Sequence, residues 1–398
     1  MHPPAAALRA NLWRIVAFRW LFWTHFFAAV LVPFFTDWAG LTLAQTLTLN
    51  AWFMGWNFVL EVPTGAVADR FGRKWSLALG AAVATIAPLV YVSTRRLPVF
   101  LVAEVLFAVA YTLVSGADEA LAYDTLDALG ETGMAKRVLA RLEAAQLAGI
   151  VTGALAGSVI AARWGLAAPF ACQAAPAALA GAVALGLHEP GGARRRADGE
   201  AYLRLVASGV RHLRRHPALR ALVRDMVGFN AVAWTLIWLY QPLARAAGLD
   251  PTWFGPLHAT LALAQIGVLH NATRLDALVG SPLRWLRVAA ATTGVAFLGL
   301  GTIAALPAVL ALIVLAAAVG LTRAPLFASY LNRHIDARNR ATVLSTVSML
   351  RTVVIMVGNV VVGRLADWSL HGTALVLGAA ALVLAATGGT RHAHLERA

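Results

Sequence analysis

The chain has 398 residues, of which 60% are apolar and only 13% are Asp, Glu, Lys or Arg, about half the usual charged share of a soluble domain. A soluble globule of this composition would expose large apolar patches and aggregate, so a bilayer is the natural solvent. Disordered and nucleic-acid-wrapping proteins are excluded, although 33 Lys and Arg against 19 Asp and Glu leave a net charge of +14.

Apolar runs of spanning length recur from end to end. Arg9, Arg14 and Arg19 precede the first, which has no small-x-small cleavage site and so reads as a retained span. The pattern predicts helices near 12–36, 43–68, 74–94, 98–123, 137–163, 166–187, 219–245, 252–273, 285–305, 307–332, 340–366 and 370–389. The runs are long and continuous, not alternating, which excludes a β-barrel. The single cysteine, Cys172, allows no intrachain disulfide.

Basic residues set an orientation. With a cytoplasmic N-terminus, 25 Lys and Arg fall on inside segments and five outside: Arg95, Arg96, Arg163, Arg245 and Arg364. Arg19, Arg323 and Arg351 fall within the apolar segments. This bias is a positive-inside signal, and it predicts a multi-pass protein of the inner membrane with both termini cytoplasmic. It also assigns the excess charge to loops facing an anionic leaflet rather than to a nucleic-acid partner.

The longest connection, 188–218, opens with His188-Glu189-Pro190-Gly191-Gly192 and carries Arg194, Arg195 and Arg196. Leu203, Val206, Val210 and Leu213 then share one helical face among arginines, the pattern of an amphipathic surface helix. The chain therefore divides into a six-helix half at 1–187, a basic linker at 188–218, and a second six-helix half with a short tail at 219–398. Ala122-Tyr123-Asp124 and Ser329-Tyr330-Leu331-Asn332 end equivalent segments of the two halves. Paired halves enclosing a midplane site are a transporter architecture.

Between the second and third segments stands Glu61-Val-Pro-Thr-Gly-Ala-Val-Ala-Asp-Arg-Phe-Gly-Arg-Lys74. Its core, G-x-x-x-D-R-x-G-R-K, resembles the signature loop of the major facilitator superfamily. The preceding E-x-P-T-G and the run from Ser115 to Asp124 resemble a group of prokaryotic permeases. The resemblance implies an all-α membrane fold of twelve transmembrane helices in two pseudo-symmetric halves. It also implies a loop that braces the cytoplasmic side when the cavity faces outward.

The chemistry suits such a latch. Gly65 allows close helix approach, Asp69 is placed to cap the start of the eleventh segment, and Gly72 permits a tight turn. Arg73 is placed to pair with Asp124, while Arg70 and Lys74 add positive charge. The second-half counterpart, Asn271 to Gly280, keeps only fragments of the pattern, and the glycines at 149, 153 and 157 lack the proline of an exporter signature and read as packing residues.

Ionisable groups inside apolar helices are costly and so mark function by default. Polar residues at helical spacing form stripes: Asn50, Asn57, Glu61 and Thr64; Glu104, Tyr111, Ser115 and Asp118; Asn230, Trp234 and Gln241; His258 and Gln265; and Ser345, Ser348, Thr352 and Asn359 with Arg351 alongside. Glu61, Glu104, Asp118, Glu119, His25 and His258 are candidates for proton coupling. Phe26, Asn57, Tyr111, Asn230, Trp234, Gln241, Gln265, Arg323 and Arg351 are candidates for the substrate cavity. The same charges also fit structural ion pairs that hold the halves closed.

No H-E-x-x-H, C-x-x-C or nucleotide-binding glycine motif is present. The sequence thus predicts no metal site, no cofactor and no catalytic centre. It predicts a monomeric secondary transporter for a small organic solute, amphipathic or anionic, driven by protons, with export favoured over uptake on the aromatic content. A proton-coupled uptake permease is the alternative. Outside transport, a membrane receptor or membrane-embedded enzyme is the competing class.

Overall fold

The computed structural model describes residues 4–190, 209–335 and 340–395, and no strand occurs among them. All twelve expected segments are helical. The first is α1 (Ala5–Phe22), continued to Trp38 by short irregular turns. It is followed by α2 (Leu43–Phe71), α3 (Arg73–Ser93), α4 (Leu97–Val114), α5 (Ala117–Ala128), α6 (Ala135–Trp164), α7 (Ala168–Cys172) and α8 (Ala174–Leu185). Beyond the linker come α9 (Pro217–Trp234), α10 (Leu236–Ala246), α11 (Phe254–His270), α12 (Ala272–Val279) and α13 (Pro282–Thr302). The chain closes with α14 (Leu306–Gly320), α15 (Arg323–Arg333), α16 (Arg340–Trp368) and α17 (Leu370–Thr387). Among the described residues, nine helical stretches are long and apolar enough to cross a membrane; α2, α11 and α13 are outside that group.

Local chemistry starts these helices. Proline stands in the first turn of α4, α7, α9, α13 and α14, where its missing N–H costs nothing. Ser281 and Ser369 cap α13 and α17 by accepting from the N–H of Arg284 and Gly372.

The first, fourth, sixth, seventh and tenth segments are interrupted. The breaks fall at Trp23–His25, Ser115–Gly116, Gln173, Thr235 and Leu321–Thr322. The first and sixth segments read as apolar on both sides of the break, whereas Ser115–Gly116 and Leu321–Thr322 mark a change from apolar to more polar helix. Backbone hydrogen bonds continue through most of these breaks, as from the Ser115 N–H to Tyr111 and the Gln173 N–H to Pro169, but a freed group in apolar surroundings needs a partner. At the first, the Phe26 N–H donates to the buried Gln173 side chain at 2.8 Å.

The chain forms two compact units that exchange short segments. One comprises 1–41, 52–199 and 251–259; the other comprises 42–51, 200–250 and 260–398. The first unit's core is built on Ile15, Phe18, Phe22, Leu77, Leu121 and Leu142. Within it, α6 lies against the broken first segment. A Cβ added to Gly157 would collide with the Phe26 carbonyl oxygen, so the two segments touch backbone to backbone. The stretch 251–259 joins the same face, with Gly255 packed on Ala154 and Ser158.

The second unit's core gathers Leu222, Val223, Phe327, Leu331, Val343 and Leu395. Of the expected surface helix, Leu203 and Val206 lie outside the described residues. Residues 209–215 are helical, with Val210 exposed and Leu213 buried in this core.

Candidate functional site

The signature loop is a turn between α2 and α3. Gly72 sits at φ +102°, which a side-chain-bearing residue rarely adopts. Arg73 begins α3 and donates to the Asp124 carboxylate and to the Ala120 carbonyl at 2.6 Å. The Glu189 carboxylate accepts from the Lys74 N–H at 2.6 Å, capping α3 from the far end of the unit's sequence. A Cβ on Gly72 would lie 2.6 Å from that same oxygen. Asn11 holds the neighbouring turn, exchanging hydrogen bonds with the His188 backbone at 2.7 and 3.0 Å.

The Arg70 guanidinium lies over Phe71 and the Lys74 ammonium over Trp75. Asp69 is half-buried on the last turn of α2. No other described segment comes within 4 Å of a Cβ built on Gly65. Sequence reasoning misses Glu189; its only signal is an acid placed directly before Pro190 where the sixth segment ends.

Further along α1, Arg19 is 8% exposed and surrounded by acids. Its Nη1 donates to Asp118 at 2.6 Å, and Nη2 to Glu143 at 3.1 Å and Glu119 at 3.3 Å. Nε donates to the Gln146 amide oxygen at 3.0 Å. Asp118 is 1% exposed, and its second oxygen accepts from the Glu119 N–H at 2.8 Å. The break at Ser115–Gly116 makes this possible, because it places both acids in the first turn of α5, where the helix dipole favours them. One guanidinium neutralises one carboxylate; Arg19 and Asp118 are buried, whereas the Glu119 and Glu143 side chains are 46% and 62% exposed. Of this cluster only Asp118 and Glu119 are candidates from sequence. Arg19 is visible there as a charge inside an apolar run, and Glu143 with Gln146 as a three-residue helical spacing, but nothing in one dimension joins them.

About two turns beyond Arg19, at the first break, His25 Nε2 meets the Tyr111 hydroxyl at 2.9 Å. The imidazole is also hydrogen-bonded to the Phe22 carbonyl, and His258 lies within electrostatic range. Glu104 is buried and hydrogen-bonded to Tyr91. Trp23, Phe27, Phe53 and Phe107 ring this group at centroid distances of 5.0 to 6.3 Å from His25, Tyr111 or one another. Phe26 contributes backbone here: its N–H donates to the Gln173 side chain, and its carbonyl packs against Gly157. The first unit therefore gathers His25, Tyr111, Glu104 and His258 in one polar and aromatic neighbourhood.

The remaining candidates are dispersed. Glu61 is exposed on α2, and Asn57 donates to its own helix at the Phe53 carbonyl. In the second unit, Asn359 is fully buried and donates to Asn50 at 2.7 Å, and Asp367 caps α2 at the Ala44 N–H. Gln241 donates to the Tyr240 hydroxyl and Gln265 to the Leu261 carbonyl. Asn230 is buried, and Trp234 Nε1 is buried with no hydrogen-bond partner among the described residues. Arg351 is half-buried. Arg323 is buried between Phe229 and Phe327. No group of three or more His, Cys, Asp or Glu able to hold a metal occurs among the described residues.

The profile of the Major Facilitator Superfamily matches residues 12–359. Solved structures of similar fold include the nucleoside transporter NupG, at 13% identity and TM-score 0.78 over 98% of this chain and 99% of that one. A bacterial homologue of the human lysosomal transporter Spinster, inward-facing and unoccupied, aligns at 15% identity and TM-score 0.73 over 96% of each chain. The POT family transporter PepTSo aligns at 12% identity and TM-score 0.71, covering 95% of this chain and 96% of that one. No curated protein sequence matches. The chain belongs to the Major Facilitator Superfamily, a multi-pass membrane transporter family, and family and fold together point to transport of a small molecule rather than to an enzyme.

Proposed function

We propose that this member of the superfamily is a proton-coupled secondary transporter of a small organic solute, working by alternating access in the inner membrane with both termini cytoplasmic. The observation that carries the coupling is the Arg19 cluster: a buried Arg19–Asp118 pair with the more exposed Glu119 and Glu143 at its rim. Three carboxylates facing one guanidinium give the site a net negative charge that attracts cationic groups. Protonation of an acid would release a hydrogen bond to Arg19, and α1, α5 and α6 would then be free to move relative to one another.

The His25–Tyr111 pair with its aromatic ring supplies a hydrogen-bonding and stacking surface about two helical turns away, suited to an amphipathic organic solute. Asn230, Trp234 and Gln241 are the corresponding candidates of the second half. Export is favoured over uptake on this aromatic lining.

Reconstituted protein tests the reading. Flux driven by an imposed pH gradient should be lost in Asp118→Asn and in Glu119→Gln with Glu143→Gln, while counterflow of pre-loaded solute without a gradient persists. Unchanged gradient-driven flux in these variants would sink the coupling role. A second reading rests on the near-complete burial of Asp118: the Arg19–Asp118 pair is a structural tie only. In that case gradient-driven flux and counterflow fall together, in proportion to lost folded protein.

A further inference from the structure

The tail after α17 folds back onto α9. The Asp225 carboxylate accepts from the Gly389 N–H at 3.1 Å, the Thr390 N–H at 2.8 Å, the Thr390 hydroxyl at 2.7 Å and Arg224 Nε at 3.2 Å. Arg333 donates to the Leu395 carbonyl at 2.8 Å, and Leu395 is buried in the core. Beneath this tail lies a cavity of about 20 Å³ lined by Asp225, Phe229, Arg287, Arg323, Phe327 and Thr390.

Arg323 is the unexplained group there. It is 7% exposed, its guanidinium carbon lies 3.9 Å from the Phe229 ring centroid, and its Nε has no hydrogen-bond partner among the described residues. A buried donor on a charged group is expensive to leave unsatisfied. Asp225 lines the same cavity, but its oxygens already accept five donors, two of them backbone N–H groups of the tail. Arg323, Arg287 and Arg224 against Asp225 leave a local excess of positive charge. The space admits a small, water-sized species beside Arg323.

We infer that this cavity is a binding site for a monatomic anion of the halide class, held by Arg323 and closed over by the C-terminal tail. The anion completes the hydrogen bonding of Arg323, offsets the charge excess and ties α9, α13 and α15 to the tail. The site is independent of the transport reading, since it is read by binding to purified protein without any flux.

The test uses the full chain in detergent, with chloride or bromide titrated against gluconate at constant ionic strength and pH. The apparent melting temperature should rise saturably with chloride and bromide, by about 2 °C or more, and remain flat with gluconate. Ala385→Leu, which fills the cavity and leaves Arg323 in place, should abolish the rise, as should Arg323→Gln if it folds. Crystals grown in bromide should show an anomalous peak beside Arg323 Nε. Equal melting in chloride and gluconate, an unaltered halide response in Ala385→Leu, or a response to inorganic phosphate or anionic lipid vesicles but not to halide would each overturn the assignment. The first of these leaves a water between Arg323 and Asp225 as the occupant.

Discussion

Arg19 is where a single residue carries most consequence. Removing one partner of a buried ion pair leaves the other charge uncompensated, so Arg19→Gln should destabilise the protein by about 3–5 kcal/mol. The combined change Arg19→Gln with Asp118→Asn should recover part of that loss, measured as melting temperature in detergent. Full additivity of the two changes would contradict a direct coupling. Gly157 makes the opposite kind of demand, for absence of a side chain. Gly157→Ala must push apart two backbones and should cost roughly 1–3 kcal/mol. Gly181→Ala, whose added carbon would lie 3.6 Å from Ala81 in ordinary contact, should cost little. At the tail, His394 Nδ1 accepts from the Arg391 N–H at 3.2 Å. Burial, with His334 and Arg391 nearby, holds its pKa below the ordinary histidine value. The docked tail therefore binds fewer protons than the released tail, and docking weakens as pH falls through the ordinary histidine range near about 6.5. Limited proteolysis of the tail should accordingly be faster at acidic pH than at neutral pH, and a rate independent of pH would remove His394 from the account.

At the scale of elements, the twelve apolar segments are legible because spanning length and continuous hydropathy are one-dimensional properties. Their interruptions are not. The residues at Trp23–His25 and at Gln173 read as ordinary members of apolar runs, and it takes the pairing of the two breaks to show why each is tolerated. Gln173 satisfies the Phe26 N–H that the first break frees. Gln173→Leu should therefore cost about 1–3 kcal/mol by leaving that donor buried and unpaired. Gln173→Glu retains an acceptor and should melt closer to the parent protein. The break at Ser115–Gly116 has a further effect that only the folded chain reveals: it converts the middle of one expected span into the first turn of another helix and so aims Asp118 and Glu119 at Arg19.

At the scale of the molecule, the two compact units do not coincide with two uninterrupted stretches of sequence. Residues 251–259 pack within the first unit on α6, and residues 42–51 within the second on α16. Each half made alone would lack a segment that covers a close-packed face. Chains ending and starting within the linker should therefore co-purify when expressed together, and each should aggregate when expressed without the other. Independent, monodisperse halves would contradict this exchange. The internal repeat legible in sequence bears on the likeness of the halves, not on the segments they trade.

Composition and periodicity by themselves determined the solvent, the helical class and, through G-x-x-x-D-R-x-G-R-K, the family. These are properties of residue type and short spacing, which a chain displays before it folds. The tertiary structure alone decided which sparse charges meet. Arg19 finds Asp118, Glu119 and Glu143 across about 100 to 124 intervening positions, Glu189 closes on the loop at Gly72, and Arg323 is left facing a small cavity under the tail. In an apolar medium a charge must find a partner, and helix packing and the breaks within helices settle which one it meets.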